Sequence, residues 1–167
     1  KFRGGSYEGP TDTVYLGAFR RAALDEVGGY DETFVRNQDY ELNWRLRRAG
    51  YLVWLDPGLV VDYTPRASLG ALCSQYFEYG RWKRVVVSRH PQSLRARQVA
   101  APGLVVGLVA SLVLVIVGSR LGLVLPAAYG LAVIGFAFRS GGAPKLQVAL
   151  TFVTMHLAWG AGFLFGR

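Results

Sequence analysis

The sequence predicts an α/β segment, then an amphipathic helix, then about three membrane-spanning helices. Three observations predict this order. The first 66 residues alternate short polar and apolar runs that read strand, helix, helix, strand, strand. Residues 68–87 repeat apolar side chains at helical spacing. Beyond residue 99 come three runs without a charge: 100–118 (19 residues), 121–138 (18 residues) and 146–166 (21 residues). At a rise of about 1.5 Å per residue, even the shortest reaches roughly 27 Å, close to the hydrocarbon thickness of a bilayer. A buried soluble helix explains one such run, but not three in succession. The predicted organisation is therefore 1–66, 67–98 and 99–167.

Residues 1–10 are rich in glycine and charge and read as a loop. Residues 13–16 (TVYL) have β-forming side chains and predict a short strand ended by Gly17. Residues 20–27 predict a short helix stopped by Gly28-Gly29. Tyr30-Asp31-Glu32 leads as a loop into a second helix. Asn37 is a good N-cap for it and Gly50 a good C-terminal stop. Leu42, Leu46 and Ala49 lie at i, i+4 and i+7 and define its apolar face. Glu41 and Arg45 are four apart and are expected to pair. Asp39 falls in the first turn, where a side chain projects into a cleft and the positive end of the helix dipole favours a negative group. Residues 51–55 (YLVWL) predict a buried strand, Asp56-Pro57-Gly58 a turn, and residues 59–64 another strand ended by Pro65.

In the amphipathic helix, Leu69, Leu72, Cys73, Tyr76 and Gly80 trace one face, and Gln75, Glu78, Tyr79 and Trp82 a second. With basic residues behind it, the helix is expected to lie along a membrane surface. Residues 88–98 form a basic linker. Gly103/Gly107 and Gly162/Gly166 have the small-residue spacing of close helix packing. His156 is expected to be a hydrogen-bonded packing residue within the last span.

The chain carries 19 basic and 11 acidic residues, a formal net charge of +8. Arg81, Lys83, Arg84, Arg89, Arg95 and Arg97 cluster just ahead of the first apolar run, which the positive-inside rule explains. Anionic membrane lipids are the expected partner, and with no aromatic-interleaved basic array, nucleic acid is not. If that linker is cytoplasmic, so is the basic loop 139–145, and Arg167 ends outside. The single Cys73 excludes an internal disulfide and a cysteine metal cluster and reads as a small core or interface residue.

The motif Val27-Gly28-Gly29-Tyr30-Asp31-Glu32, followed by Gln38-Asp39-Tyr40-Glu41-Leu42-Asn43-Trp44-Arg45, resembles the C-terminal half of the catalytic domain of a family 2 glycosyltransferase of GT-A type. The resemblance covers residues 12–90. It is closest to the membrane-anchored enzymes of exopolysaccharide synthesis of the succinoglycan type, as Tyr63-Thr64-Pro65-Arg66-Ala67-Ser68-Leu69, Gln75-Tyr76-Phe77-Glu78-Tyr79-Gly80-Arg81-Trp82-Lys83 and Met155-His156-Leu157-Ala158-Trp159-Gly160 also match. It implies that Asp39 is the catalytic base, with Gln38 standing where the family has an acid, and that Gln38, Glu41 and Arg45 support the site. Gly17, with Arg20 and Arg21 behind it, resembles the segment lining the acceptor pocket; helix-surface arginines are the alternative. Gln75, Arg81 and Trp82 resemble, at wider spacing, the acceptor motif Gln-x-x-Arg-Trp of processive synthases; the alternative for Trp82 is an interfacial anchor.

The chemistry is consistent with one carboxylate. An acceptor hydroxyl becomes nucleophilic when a carboxylate within hydrogen-bond reach takes its proton. Inversion by single displacement needs no second acid, whereas retention by double displacement does. Glu41 lies roughly 200° around the helix from Asp39 and does not share its face. The family's Asp-x-Asp element for metal and diphosphate is absent from the sequence, so the donor-binding half is expected upstream of Lys1 and this chain alone is expected to be inactive. Magnesium or manganese, a nucleotide-sugar donor and a glycan or lipid-linked acceptor are implied for the whole enzyme only, with no metal or cofactor held by this segment. Other implied features are a multi-pass protein of the inner membrane, a cytoplasmic catalytic part, and helix packing with other membrane subunits. Two rivals remain open: a non-catalytic transport or assembly subunit with a degenerate transferase remnant, and a peripheral lipid-binding module.

Overall fold

A computed structural model describes residues 7–14, 16–60, 62, 64, 66–142 and 144–166. The chain divides into two compact units, Lys1–Pro65 and Arg66–Arg167.

The first unit contains β1 (Gly9–Pro10), α1 (Arg21–Val27), α2 (Gln38–Arg48) and β2 (Trp54–Leu55). Its strands form one short antiparallel ribbon with Gly9 opposite Leu55 and Pro10 opposite Trp54, extended by the Thr11 N–H donating to the Val53 carbonyl. The β content differs from expectation in three places. The ladder lies at Gly9–Pro10, within the predicted loop, rather than at residues 13–16, where Thr13, Val14 and Leu16 are not in a strand and Tyr15 lies outside the described residues. Residues 51–55 are not buried on both faces: Val53 is buried, but Leu52 and Trp54 are exposed, as befits a strand with one partner. Of the strand predicted at 59–64, Leu59, Val60, Asp62 and Thr64 are outside any strand, and Val61 and Tyr63 lie outside the described residues, as do Lys1 to Ser6, Pro65 and Arg167.

The two helices form where the caps and periodicity place them. α1 ends at Gly28 (φ 80°), followed by Gly29 (φ 68°), both in the left-handed region that glycine reaches without strain. α2 ends in a Schellman motif: Gly50 takes φ 91°, its N–H donates to the Arg47 carbonyl, and the Tyr51 N–H donates to that of Leu46. Tyr51 then folds back on the core of Ala23, Leu42 and Leu46, with Phe19, Leu24 and Val27 around it. Ala49, placed on the apolar face by its spacing, is exposed, because the helix has already turned away at its C-cap. Asn37 holds the N-cap position in a left-handed conformation and makes no side-chain capping bond; asparagine tolerates that geometry.

The second unit is helical: α3 (Leu69–Arg89), a 3-10 turn (Pro91–Ser93), α4 (Ala96–Ile116), a 3-10 turn (Arg120–Leu123), α5 (Val124–Arg139) and α6 (Lys145–Phe165). Ser68 caps α3, accepting from the Ala71 N–H at 3.2 Å. Ala96–Ile116, Arg120–Arg139 and Lys145–Phe165 are long and apolar enough to cross a membrane. Their exposed leucines, valines and phenylalanines, such as Leu112, Leu131 and Phe138, are what a lipid-facing surface requires. α5 and α6 are joined by a bond of 3.1 Å between the Tyr129 hydroxyl and His156 Nδ1 and by the edge-to-face pair Phe136–Phe152.

α3 does not stand alone on a surface; its main partner is α6. The buried residues of α3 are Gln75, Gly80, Lys83 and Val86: Gly80 comes from the first expected face, Gln75 from the second, and Lys83 and Val86 from neither. Cys73, read from the sequence as a small core or interface residue, is exposed, as is Leu69. Glycines make the closest contacts. A Cβ on Gly80 would lie 2.0 Å from the Trp159 carbonyl oxygen, and one on Gly162 2.0 Å from that of Phe77. Gly166 meets the Arg81 side chain and Gly160 the Ala101 carbonyl, whereas Gly103 faces open space. The Arg84 guanidinium completes the contact by donating to the Leu164 carbonyl at 2.8 Å. Gly80→Ala should therefore cost about 1–3 kcal/mol or more, because a backbone carbonyl cannot yield as a side chain does. Gly70→Ala, in the same helix with nothing within 4 Å, should be neutral or gain up to about 1 kcal/mol. Thermal unfolding of the two variants in detergent, compared with the parent, checks the opposite signs.

Candidate active site

α2 is fixed on three sides. Its apolar side chains Leu42 and Leu46 enter the core against Ala23. Asn43, fully buried, donates through Nδ2 to Thr13 Oγ1 at 3.1 Å and to the Val14 carbonyl at 3.3 Å, which anchors the segment ahead of Gly17. The expected Glu41–Arg45 pair forms, with Nε to Oε1 at 2.7 Å and Nη2 to Oε2 at 2.8 Å. Glu41 is 2% exposed and Arg45 21%. The same guanidinium donates to the Val27 carbonyl through Nη1 and to the Gly29 carbonyl at 2.6 Å through Nη2. The Val27 carbonyl is one of those that a helix end leaves without an intrahelical partner, and Gly29 lies in the turn just beyond α1. One arginine thus satisfies a buried carboxylate and ties the glycine turn after α1 to the middle of α2.

The segment between them is also ordered by its own side chains. Asp31 Oδ1 accepts from the Thr33 N–H at 2.9 Å and the Thr33 hydroxyl at 2.6 Å, and Phe34 is buried behind it. Such an Asx turn sets where the next helix begins. Asp39 then occupies the second position of α2, half-buried, with Oδ1 accepting the Tyr40 N–H at 2.8 Å. Burial first, and the Asp39 charge second, push the Tyr30 phenol above its ordinary range. The Tyr30 ring meets Phe19 edge-on, centroids 6.3 Å apart.

The site residues read from the sequence fall into two groups. Gly17, Gln38, Asp39, Glu41 and Arg45 belong to the first unit. Gly17 is closely approached by Phe19 and Val14, Gln38 is exposed at the helix start, and Arg21 pairs with Asp25 on the surface at 2.8 Å. Gln75, Arg81 and Trp82 belong to the second unit, on α3. Gln75 is buried and donates to the Tyr79 hydroxyl at 2.8 Å. Arg81 pairs with Glu78 at 3.2 Å and lies 5.8 Å from the centre of the Trp82 ring, a cation–π contact covering part of that ring. The roles of Asn43 and of the Val27 and Gly29 carbonyls were not legible from the sequence, since no period or motif links residues so far apart. Tyr30 was legible only as part of its motif. Among the described residues, no three His, Cys, Asp or Glu side chains are grouped to hold a metal ion.

Asp39 thus sits half-buried at the start of a helix fixed by a buried ion pair, and the chain also carries three helices long and apolar enough to cross a membrane. The chain belongs to glycosyl transferase family 21, whose model matches residues 16–165. It is 35% identical over 150 residues to the succinoglycan biosynthesis protein ExoA of Rhizobium meliloti (strain 1021), covering 86% of this chain and 44% of that protein. It is 33% identical over 72 residues to the pre-mycofactocin glycosyltransferase of Mycobacterium tuberculosis (strain ATCC 25618 / H37Rv), covering 43% of this chain and 15% of that one. The chain thus spans less than half the length of the curated relatives it matches. No solved structure matches it significantly. The family and the exopolysaccharide relative support the resemblance read from the sequence.

Proposed function

We propose that the chain is the C-terminal part of a membrane-bound, inverting glycosyltransferase with a GT-A type catalytic domain. The whole enzyme transfers a sugar from a nucleotide-sugar donor to a lipid-linked or growing polysaccharide acceptor at the cytoplasmic face of the inner membrane. The observation that carries this reading is the half-buried Asp39 at the start of a helix whose other acid, Glu41, is engaged by Arg45. Asp39 takes the proton of the acceptor hydroxyl. The freed oxygen attacks the anomeric carbon, a new C–O bond forms, and the bond to the diphosphate breaks with its electron pair leaving on the nucleotide. One displacement inverts the anomeric centre. A retaining route needs a second carboxylate as nucleophile, and Glu41, 2% exposed and bidentate on Arg45, is unsuited to that work. In the whole enzyme a divalent metal, when bound, neutralises the donor diphosphate. The relative named for succinoglycan biosynthesis supports an exopolysaccharide acceptor, and the exposed apolar helices and acid-poor flanks support membrane lipids as partners.

The test is transfer of radiolabelled sugar from nucleotide sugars into lipid-extractable or polymeric product by membranes containing the full-length protein. Absence of transfer from every common nucleotide sugar would favour the non-catalytic transport or assembly role. Within an active enzyme, Trp82→Ala should raise the acceptor KM about fivefold or more and leave the donor KM within twofold. Arg81 already covers part of the Trp82 ring, so the sugar stacks on the remaining surface. An unchanged acceptor KM would make Trp82 an interfacial anchor.

A further inference from the structure

The last turns of α6 have charged neighbours, and these fix their depth. The second half of α3 carries Glu78, Arg81, Lys83, Arg84 and Arg89, too many charges for the hydrocarbon interior, so it lies at a membrane surface. α6 ends against that half. A Cβ on Gly162 would lie 2.0 Å from the Phe77 carbonyl oxygen, and one on Gly166 2.6 Å from the Arg81 Cβ. The Arg84 guanidinium donates to the Leu164 carbonyl at 2.8 Å, one of those a helix end leaves free. α4 begins at the same surface: it follows Arg95 directly and has Arg97 in its first turn. Its sixth residue, Ala101, meets the sixteenth of α6, Gly160, where a Cβ would lie 2.5 Å from the Ala101 carbonyl oxygen. Three full crossings would make α4 and α6 parallel and set Ala101 level with the sixth residue of α6, Leu150. The contact is displaced from that by about 15 Å of helix. Running parallel to α4 from Gly160, α6 would end about 9 Å deeper and carry Arg81 and Arg84 toward the bilayer centre. Running antiparallel, it ends level with the start of α4, where both arginines meet headgroups and water.

We propose that α6 runs back to the face where α4 begins, so that its end lies on the side of the basic linker 88–98 and only α4 and α6 cross the membrane completely. α5 is the segment that does not cross. It has 16 residues, about 24 Å, and it does not start at the far end of α4. Leu125 lies against Gly107, the twelfth of the 21 residues of α4, and Gly122 against the Ser111 carbonyl. A helix that starts halfway through the bilayer does not pass from face to face. The loop 139–145 is then on the far side and the end of α6 on the near one, the reverse of what the positive-inside rule predicts for both. Arg81 and Arg84, packed on α6, outweigh the two cations Arg139 and Lys145 of that loop. α6 is in this arrangement more than an anchor: its last turns seat α3, the helix that bears Gln75, Arg81 and Trp82. The inference holds whatever the role of Asp39 and whichever face is cytoplasmic.

The experiment uses the full-length protein in bacterial spheroplasts, with Cys73 and every other native cysteine replaced by serine. Single cysteines are introduced by Ser88→Cys, by Gly141→Cys and by insertion after residue 167. A membrane-impermeant maleimide is added before or after lysis. The expected result is that the cysteine after residue 167 labels in the same preparation as Ser88→Cys, whereas Gly141→Cys labels in the opposite one. With the linker cytoplasmic, Gly141→Cys reacts in intact spheroplasts and the other two react only after lysis. A cysteine after residue 167 on the side opposite to Ser88→Cys overturns the proposal, and so does Gly141→Cys on the same side as Ser88→Cys. Should the cysteine variants fail to accumulate, an epitope tag inserted after residue 90 or after residue 167 of the otherwise unaltered protein decides the point by protease protection. Equal protection of the two tags is expected, and opposite protection overturns the proposal.

Discussion

Asp39→Asn in the full-length enzyme should lower kcat by roughly 10²–10⁴-fold, the range that a positioned general base supplies, while donor binding stays nearly unchanged. The substitution is conservative in shape. Asparagine keeps an oxygen where Asp39 Oδ1 accepts the Tyr40 N–H, so the first turn of α2 persists. The Glu41–Arg45 pair and the Asn43 bonds lie further along the helix and are untouched. What is lost is the ability to accept a proton from the acceptor hydroxyl. The measurement is single-turnover transfer in membranes, with donor affinity measured separately by nucleotide-sugar binding. A kcat within threefold of the parent would remove Asp39 from the chemistry. Glu41→Gln in parallel should lower the amount of folded protein more than it lowers kcat per folded molecule, because Glu41 is buried against Arg45.

The parts of the structure legible in the sequence are those set within about one helical turn. The Gly28 and Gly50 stops, the Glu41–Arg45 spacing and the three apolar spans depend on residues within a few positions of each other, and the fold retains them. The strands depend on partners elsewhere. Residues 13–16 have β-forming side chains, yet the ladder goes to Gly9–Pro10 because that is where Trp54–Leu55 is reached. Propensity states only that a pleated surface suits the side chain, not which segment receives a partner. The contact of α3 with α6 was hidden for a related reason. Its interface is centred on Gly80 and Gly162, where backbones approach closely. A glycine adds nothing to an apolar stripe, so a pattern of large residues gives no sign that Gly80, on the same face as Leu69 and Cys73, is where the backbone of α6 comes close. At the site, Asp39 was found through its motif, but the reason that motif needs its arginine was hidden: Arg45 reaches carbonyls 16 and 18 residues earlier.

Arg45 therefore carries the second large prediction, on stability. Arg45→Met should destabilise the first unit by roughly 3–5 kcal/mol, the usual effect of removing one partner of a buried pair. Three losses combine. Glu41, 2% exposed, is left with its charge uncompensated. The Val27 and Gly29 carbonyls lose their donor. The glycine turn that carries Tyr30 is released from α2. Lysine should not rescue it, since a single ammonium cannot serve a bidentate carboxylate and two carbonyls at once. Glu41→Leu combined with Arg45→Met should recover part of the loss, because no buried charge remains, yet leave the carbonyls unsatisfied. The double variant should then regain stability without regaining full transfer activity, since the glycine turn after α1 is still untied from the helix that carries Asp39. Thermal melts of the full-length protein, read beside the rate of sugar transfer, separate the two effects. Equal recovery of both would show that the pair serves folding alone and that the turn needs no tether from Arg45.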